Sequence, residues 1–113
     1  YALAGSMLAR VGKAAGLQVI QEGFADRAYR TDGRLVSRSE PGAVIDDQDR
    51  VREQLRQLLD ETVMTVERTL IPMSIHSLCL HSDTPQALAL ARVIREELQR
   101  SGIEVMAASH VDR

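Results

Sequence analysis

The chain has 113 residues, 44% of them hydrophobic, which is apolar material for one modest core and too little for two domains. Its 14 Lys and Arg residues are scattered against 16 Asp and Glu, for a formal charge of −2, which argues against nucleic acid as a main partner. No apolar run nears the roughly 18 residues of a membrane span, and the single cysteine, Cys79, has no partner for an internal disulfide, so the expected setting is the reducing cytoplasm with no membrane role.

Residues 1–6 carry no initiator Met and read as the exit from a strand into a helix, with Ser6 placed to cap it; a further segment is expected before them. Over 6–15, Met7, Leu8, Val11, Ala14 and Ala15 share one helical face, and Gly16 suits the helix stop. A strand is expected over 17–24, where Val19 and Ile20 are β-branched. Residues 25–41 show turn chemistry instead of periodicity, with Thr31-Asp32-Gly33 and Ser39-Glu40-Pro41-Gly42 as tight turns, and read as a long polar loop of the kind that carries function. A surface helix over 47–60 turns Val51, Leu55, Leu58 and Leu59 inward. The alternation across 62–73 predicts a hairpin, and 76–81, with Leu78, Cys79 and Leu80 at its centre, a buried strand. A third helix over 85–100 starts with Pro85 in its first turn and buries Ala87, Leu88, Ala91, Ile94 and Leu98. A last strand is expected over 103–107. This order is the rhythm of an α/β protein with a parallel sheet and external helices, and three main parallel strands are too few to close a barrel of about eight. The expected fold is therefore an α/β parallel sheet or barrel with external helices, whose remaining strands an upstream half must supply.

Two polar clusters fall at the expected C-terminal strand ends, where parallel α/β folds carry their active sites. The first comprises Glu22, Asp26, Arg27 and Tyr29, extended by Arg38 across the loop; the second is His81-Ser82-Asp83-Thr84. A histidine that closes a buried strand two residues before a carboxylate suits general acid/base work or metal ligation, and a satisfied structural histidine is the plain alternative. Asp26 and Arg27 also read as a loop ion pair, and Asp83 as a helix cap. Cys79 reads as a buried thiol, and His76 and His110 as incidental. With no cysteine pair and no two histidines at metal spacing, no metal is expected from the residues themselves, and a glycine-rich phosphate loop is absent.

Leu3-Ala4-Gly5-Ser6, E-G-F-A-D-R-A-Y from Glu22 to Tyr29, D-G-R-L-V-S-R from Asp32, P-G-A-V-I from Pro41 and C-L-H-S-D-T-P from Cys79 resemble the LamB/YcsF family in order and spacing. The resemblance covers nearly all of the chain as one segment, 1–113, and corresponds to the C-terminal part of a family member of roughly twice the length. It implies the C-terminal portion of a (β/α) TIM-like barrel related to polysaccharide deacetylase-like folds, acting as the A subunit of prokaryotic 5-oxoprolinase with subunits B and C. The implied reaction is ATP-dependent opening of the 5-oxoproline lactam to glutamate, with metal involvement and a homo-oligomer left open. Because a lactam carbonyl is poorly electrophilic, phosphorylation of its oxygen followed by attack of water is the chemistry that makes sense. On that implication His81, Asp83 and Asp26 are the catalytic candidates. Arg27 and Arg38 would hold carboxylate or phosphate oxygens, with Glu22 and Asp26 orienting them. Two positions depart from the family pattern: Ser82 stands where Gly is usual, and Gly23 replaces an apolar residue, which is expected to loosen the strand end. These 113 residues alone are expected to be inactive; a non-catalytic half-barrel that docks on another chain, or an inactive truncated relative, is the alternative.

Overall fold

In the computed structural model, residues 1–108 are described; His110 lies outside them. The strand exit expected at the start forms β1 (Ala2–Leu3), which lies parallel to β2 (Gln21–Gly23), Ala2 opposite Gln21 and Leu3 opposite Glu22. Between them runs α1 (Met7–Ala14). Its N-terminus is capped by the Ser6 hydroxyl, which accepts the Ala9 N–H at 3.1 Å, and it stops where Gly16 takes φ +84, a conformation that glycine adopts without strain. The expected strand over 17–24 shortens to three residues, because only 21–23 finds neighbours on both sides; Leu17 is exposed.

Residues 24–29 are buried, although 25–29 belong to the stretch expected as a long polar loop. The segment folds back through isolated bridges that pair Arg27 with Val44 and Tyr29 with Leu35, around a turn in which Gly33 has φ +86 and donates its N–H to the Arg30 carbonyl. Asp47 then caps α2 (Gln48–Leu59), accepting the N–H groups of Asp49 and Arg50. The expected hairpin forms as β3 (Thr62–Met64) and β4 (Leu70–Pro72), antiparallel with Val63 opposite Ile71. β5 (Ser77–Leu78) joins the sheet beside β2, giving a parallel order β1-β2-β5.

The third helix, α3 (Ala87–Arg100), begins two residues later than expected, with Gln86 at its cap position and no side-chain capping bond, so Asp83 is not its cap. It buries Leu90, Val93, Ile94 and Leu98, while Leu88 is exposed. Residues 103–107 form no strand and pair with none among the described residues, and Val105 and Met106 are exposed.

The main core lies between α2 and α3, where Val51, Leu55, Leu90, Ile94 and Leu98 pack with Ala25 and Ile45. A second cluster of Phe24, Tyr29, Leu58, Val63 and Met73 lies between the sheet and the hairpin. Gly23 does not loosen its strand: a Cβ there would come within 2.6 Å of Ile75 Cγ2, so the missing side chain is the space that Ile75 fills.

Candidate active site

β2 and β5 end side by side, and both polar clusters leave from their C-terminal ends. Two contacts then join one cluster to the other. The Asp26 carboxylate Oδ2 lies 3.5 Å from His81 Nδ1, at the long limit of a hydrogen bond. The Arg38 guanidinium lies 3.6 Å from Asp83 Oδ2 in an ion pair with both side chains largely exposed. The Phe24 ring stacks on the His81 imidazole, with 5.5 Å between centroids and 11° between planes. His81 is thereby held by a carboxylate at one nitrogen and an aromatic face on its ring, while 26% of its side chain stays open to solvent. Asp26 is buried at 5% exposure, and its second oxygen, Oδ1, has no hydrogen-bond partner.

The other sequence candidates take distinct places. Arg27 is buried; its Nη2 donates to the Val36 carbonyl at 2.9 Å, and its Nε has no partner. Arg27 and Asp26 form no ion pair, so that reading of the dipeptide is set aside. Glu22 is half-buried on β2, opposite Ser77, and its charge reaches Cys79 and Tyr29. Burial first, then the charges of Glu22 and Asp26, push the Cys79 thiol up, so it stays protonated and a poor nucleophile. His76 is more than incidental: its Nδ1 accepts the Gln21 N–H at 2.9 Å while its backbone N–H donates to the Gln21 carbonyl, tying β5 to the start of β2.

Two residues hold the Asp26 segment from behind. Burial pushes the Tyr29 phenol up to about 12, so it stays neutral, and its oxygen accepts the Phe24 N–H at 3.0 Å. Gln54 of α2 donates from Nε2 to the carbonyls of Phe24 and Arg27, at 2.8 and 2.7 Å. Tyr29 belongs to the first sequence cluster, whereas Gln54 belongs to no motif. Its signal is nonetheless in the pattern: Gln54 falls on the same stripe as Val51, Leu55 and Leu58, a polar residue where the 3.6 period calls for an apolar one.

Among the described residues no three His, Cys, Asp or Glu side chains gather closely enough to hold a metal ion. Clefts of about 570 and 590 Å³ open elsewhere, the first beside Gln21, Asp32 and Glu61, the second between α2 and the hairpin, and neither contains His81 or Asp26. Within the pair Asp26 is buried, and His81 is the member that solvent reaches. No helix among the described residues is long and apolar enough to cross a membrane.

This arrangement has relatives. The chain is 47% identical over 107 residues to the A subunit of 5-oxoprolinase from Neisseria meningitidis serogroup A, covering 94% of the chain and 44% of that protein. It is 43% identical over 111 residues to the A subunit of 5-oxoprolinase from Coprothermobacter proteolyticus, covering 97% and 42%. The fold matches the crystal structure of a lactam utilization protein from Thermus thermophilus with a TM-score of 0.80 and 34% identity, over 91% of this chain and 41% of that one. The chain therefore spans less than half the length of the relatives it matches. The LamB/YcsF family model matches residues 1–113, and the chain belongs to that family.

Proposed function

We propose that this chain supplies part of the active site of a 5-oxoprolinase, within the A subunit of a hydrolase that opens the 5-oxoproline lactam to glutamate together with subunits B and C. The observation that carries the reading is the Asp26–His81 approach, with Phe24 stacked on the imidazole and Asp26 Oδ1 buried without a partner. A carboxylate beside Nδ1 favours the tautomer protonated there, which leaves Nε2 free to accept a proton from water. Water then adds to the ring carbonyl carbon, the ring C–N bond breaks, and the nitrogen takes a proton to become the amine of glutamate. The unpartnered Asp26 Oδ1 and Arg27 Nε are an acceptor and a donor, the two functions that a ring amide N–H and a carbonyl or carboxylate oxygen of the substrate require. Arg38, paired with Asp83 across the rim, is the exposed cation suited to clamp a substrate carboxylate, with Asp83 holding it and Glu22 adding charge from the strand below.

On this reading ATP phosphorylates the lactam oxygen and leaves as ADP before water adds; ring opening then leaves an acyl phosphate, which a second water hydrolyses to the glutamate carboxylate and inorganic phosphate. The described residues contain no glycine-rich phosphate loop and so do not fit a nucleotide cradle. The rest of the family's length completes the site, in a barrel of which the parallel order β1-β2-β5 is one portion, and the setting is cytoplasmic.

The test is ATP-dependent release of glutamate from 5-oxoproline by the native polypeptide mixed with subunits B and C. Asp26→Asn and His81→Gln are each expected to lower turnover by about a hundredfold or more. Normal turnover in both variants would overturn the assignment of this pair, and no turnover by the folded, assembled wild type would favour a different lactam or a non-catalytic docking module.

A further inference from the structure

We propose that Gln54 is a positioning residue for the Asp26–His81 pair, setting both contacts of the imidazole through the backbone of residues 24–27. The catalytic consequence rests on the functional reading above; the structural readout does not.

The carbonyls that Gln54 holds lie on either side of Asp26, at Phe24 and Arg27, and the carbonyl of Asp26 itself accepts the Ile45 N–H at 2.8 Å. A single amide nitrogen with two hydrogens makes both bonds. The opposite amide orientation would aim Oε1 at two carbonyl oxygens, so the chemistry allows only the one observed. Phe24 meets His81 with its ring and Asp26 meets it with its carboxylate. Fixing the carbonyls around them therefore fixes stacking and carboxylate contact together. α2 is a firm base for this, capped by Asp47 and seated through Val51, Leu55 and Leu58, none more than 1% exposed. An apolar residue at position 54 would continue that stripe and leave two buried carbonyls without donors, which explains why a buried glutamine is present there. With 3.5 Å between Asp26 and His81, the contact has no slack; a small drift of the segment ends it.

Gln54→Met keeps the length of the side chain and removes both donors. In the native polypeptide with its partner subunits, it is expected to lower kcat by about tenfold or more while KM stays within about twofold, since misplacement of a reacting group acts mainly on the chemical step. In the same protein, ¹⁵N NMR of the His81 ring is expected to show a reduced share of the Nδ1-protonated tautomer. Glu97→Gln, which weakens the Arg56 contact between α2 and α3 and leaves both Gln54 hydrogen bonds in place, is the control that lowers stability and leaves the tautomer as in wild type. A wild-type tautomer share in Gln54→Met, or an equal change in Glu97→Gln, would overturn the proposal. If Gln54→Met does not fold, Gln54→His keeps one N–H donor; a wild-type tautomer share in that variant counts against the proposal and an intermediate share supports it. Turnover that survives His81→Gln would sink the functional reading while the tautomer comparison still decides the role of Gln54.

Discussion

α1 and α2 are both amphipathic helices and end in opposite conditions. The inner stripe of α2 is sealed: Val51, Leu55 and Leu58 lie under α3 and the β3–β4 hairpin. The apolar stripe of α1 is open, with Met7, Leu8 and Val11 more than half exposed and Ala9 the one buried residue of the helix. The face that Met7, Leu8, Val11, Ala14 and Ala15 were expected to share is thus an exposed one among the described residues. A 3.6-residue period says which side of a helix is apolar; a second surface is needed before that side is buried. α2 has one, and a charged clamp besides: the buried Glu97 carboxylate of α3 meets Arg56 at 2.6 Å, Arg100 at 3.3 Å and Arg52 at 3.8 Å.

The largest effect that would sharpen this contrast is expected at the sealed stripe. Leu55→Ala removes a fully buried side chain and is expected to lower stability by about 2–5 kcal/mol in a denaturant titration. A loss below about 1 kcal/mol would mean that the α2–α3 core can collapse around the gap.

A smaller, pH-dependent effect is expected at the clamp. The hydrogen bond from Arg56 holds the Glu97 carboxyl below its ordinary value, with the charges of Arg56, Arg100 and Arg52 adding to it. A depressed folded-state value means that the stabilisation is fully present above the ordinary glutamate value of about 4 and is lost as pH falls from there through the lower folded-state value. Glu97→Gln is therefore expected to be less stable than wild type near neutral pH and to lose less on acidification. Parallel acid limbs for the two proteins would show that the clamp contributes nothing to folding.

The smallest effect is expected on α1. Leu8→Gln on the isolated chain is expected to shift stability by no more than about 0.5 kcal/mol, because the side chain it replaces is mostly in water. A loss of about 2 kcal/mol or more, of the size seen for buried leucines, would break the comparison and show that something covers this face in solution.

The site divides along similar lines. The sequence placed Asp26, Arg38, His81 and Asp83 at two strand ends, and the parallel pairing of β2 with β5 brings those ends together, Asp26 to His81 and Arg38 to Asp83. Gln54 stayed hidden because a lone glutamine on a helix carries no motif; only the fold shows which carbonyls it meets. Asp83 was legible as a site candidate, and only its alternative reading as a helix cap fails, since a cap depends on where the helix begins, and α3 begins beyond it.

By itself the sequence determined the local structure: two of the helices to within a residue, the hairpin over 62–73, the turn at Gly33, and the family, since each depends on periodicity, caps and motifs within short stretches. The tertiary structure decided what depends on distant neighbours. Residues 2–3 became a strand by pairing with 21–22, residues 103–107 remained unpaired despite a β-prone sequence, and residues 25–29 went into the core although they read as part of a polar loop. Strand pairing and burial are properties of two surfaces in contact, and a linear pattern describes only one of them.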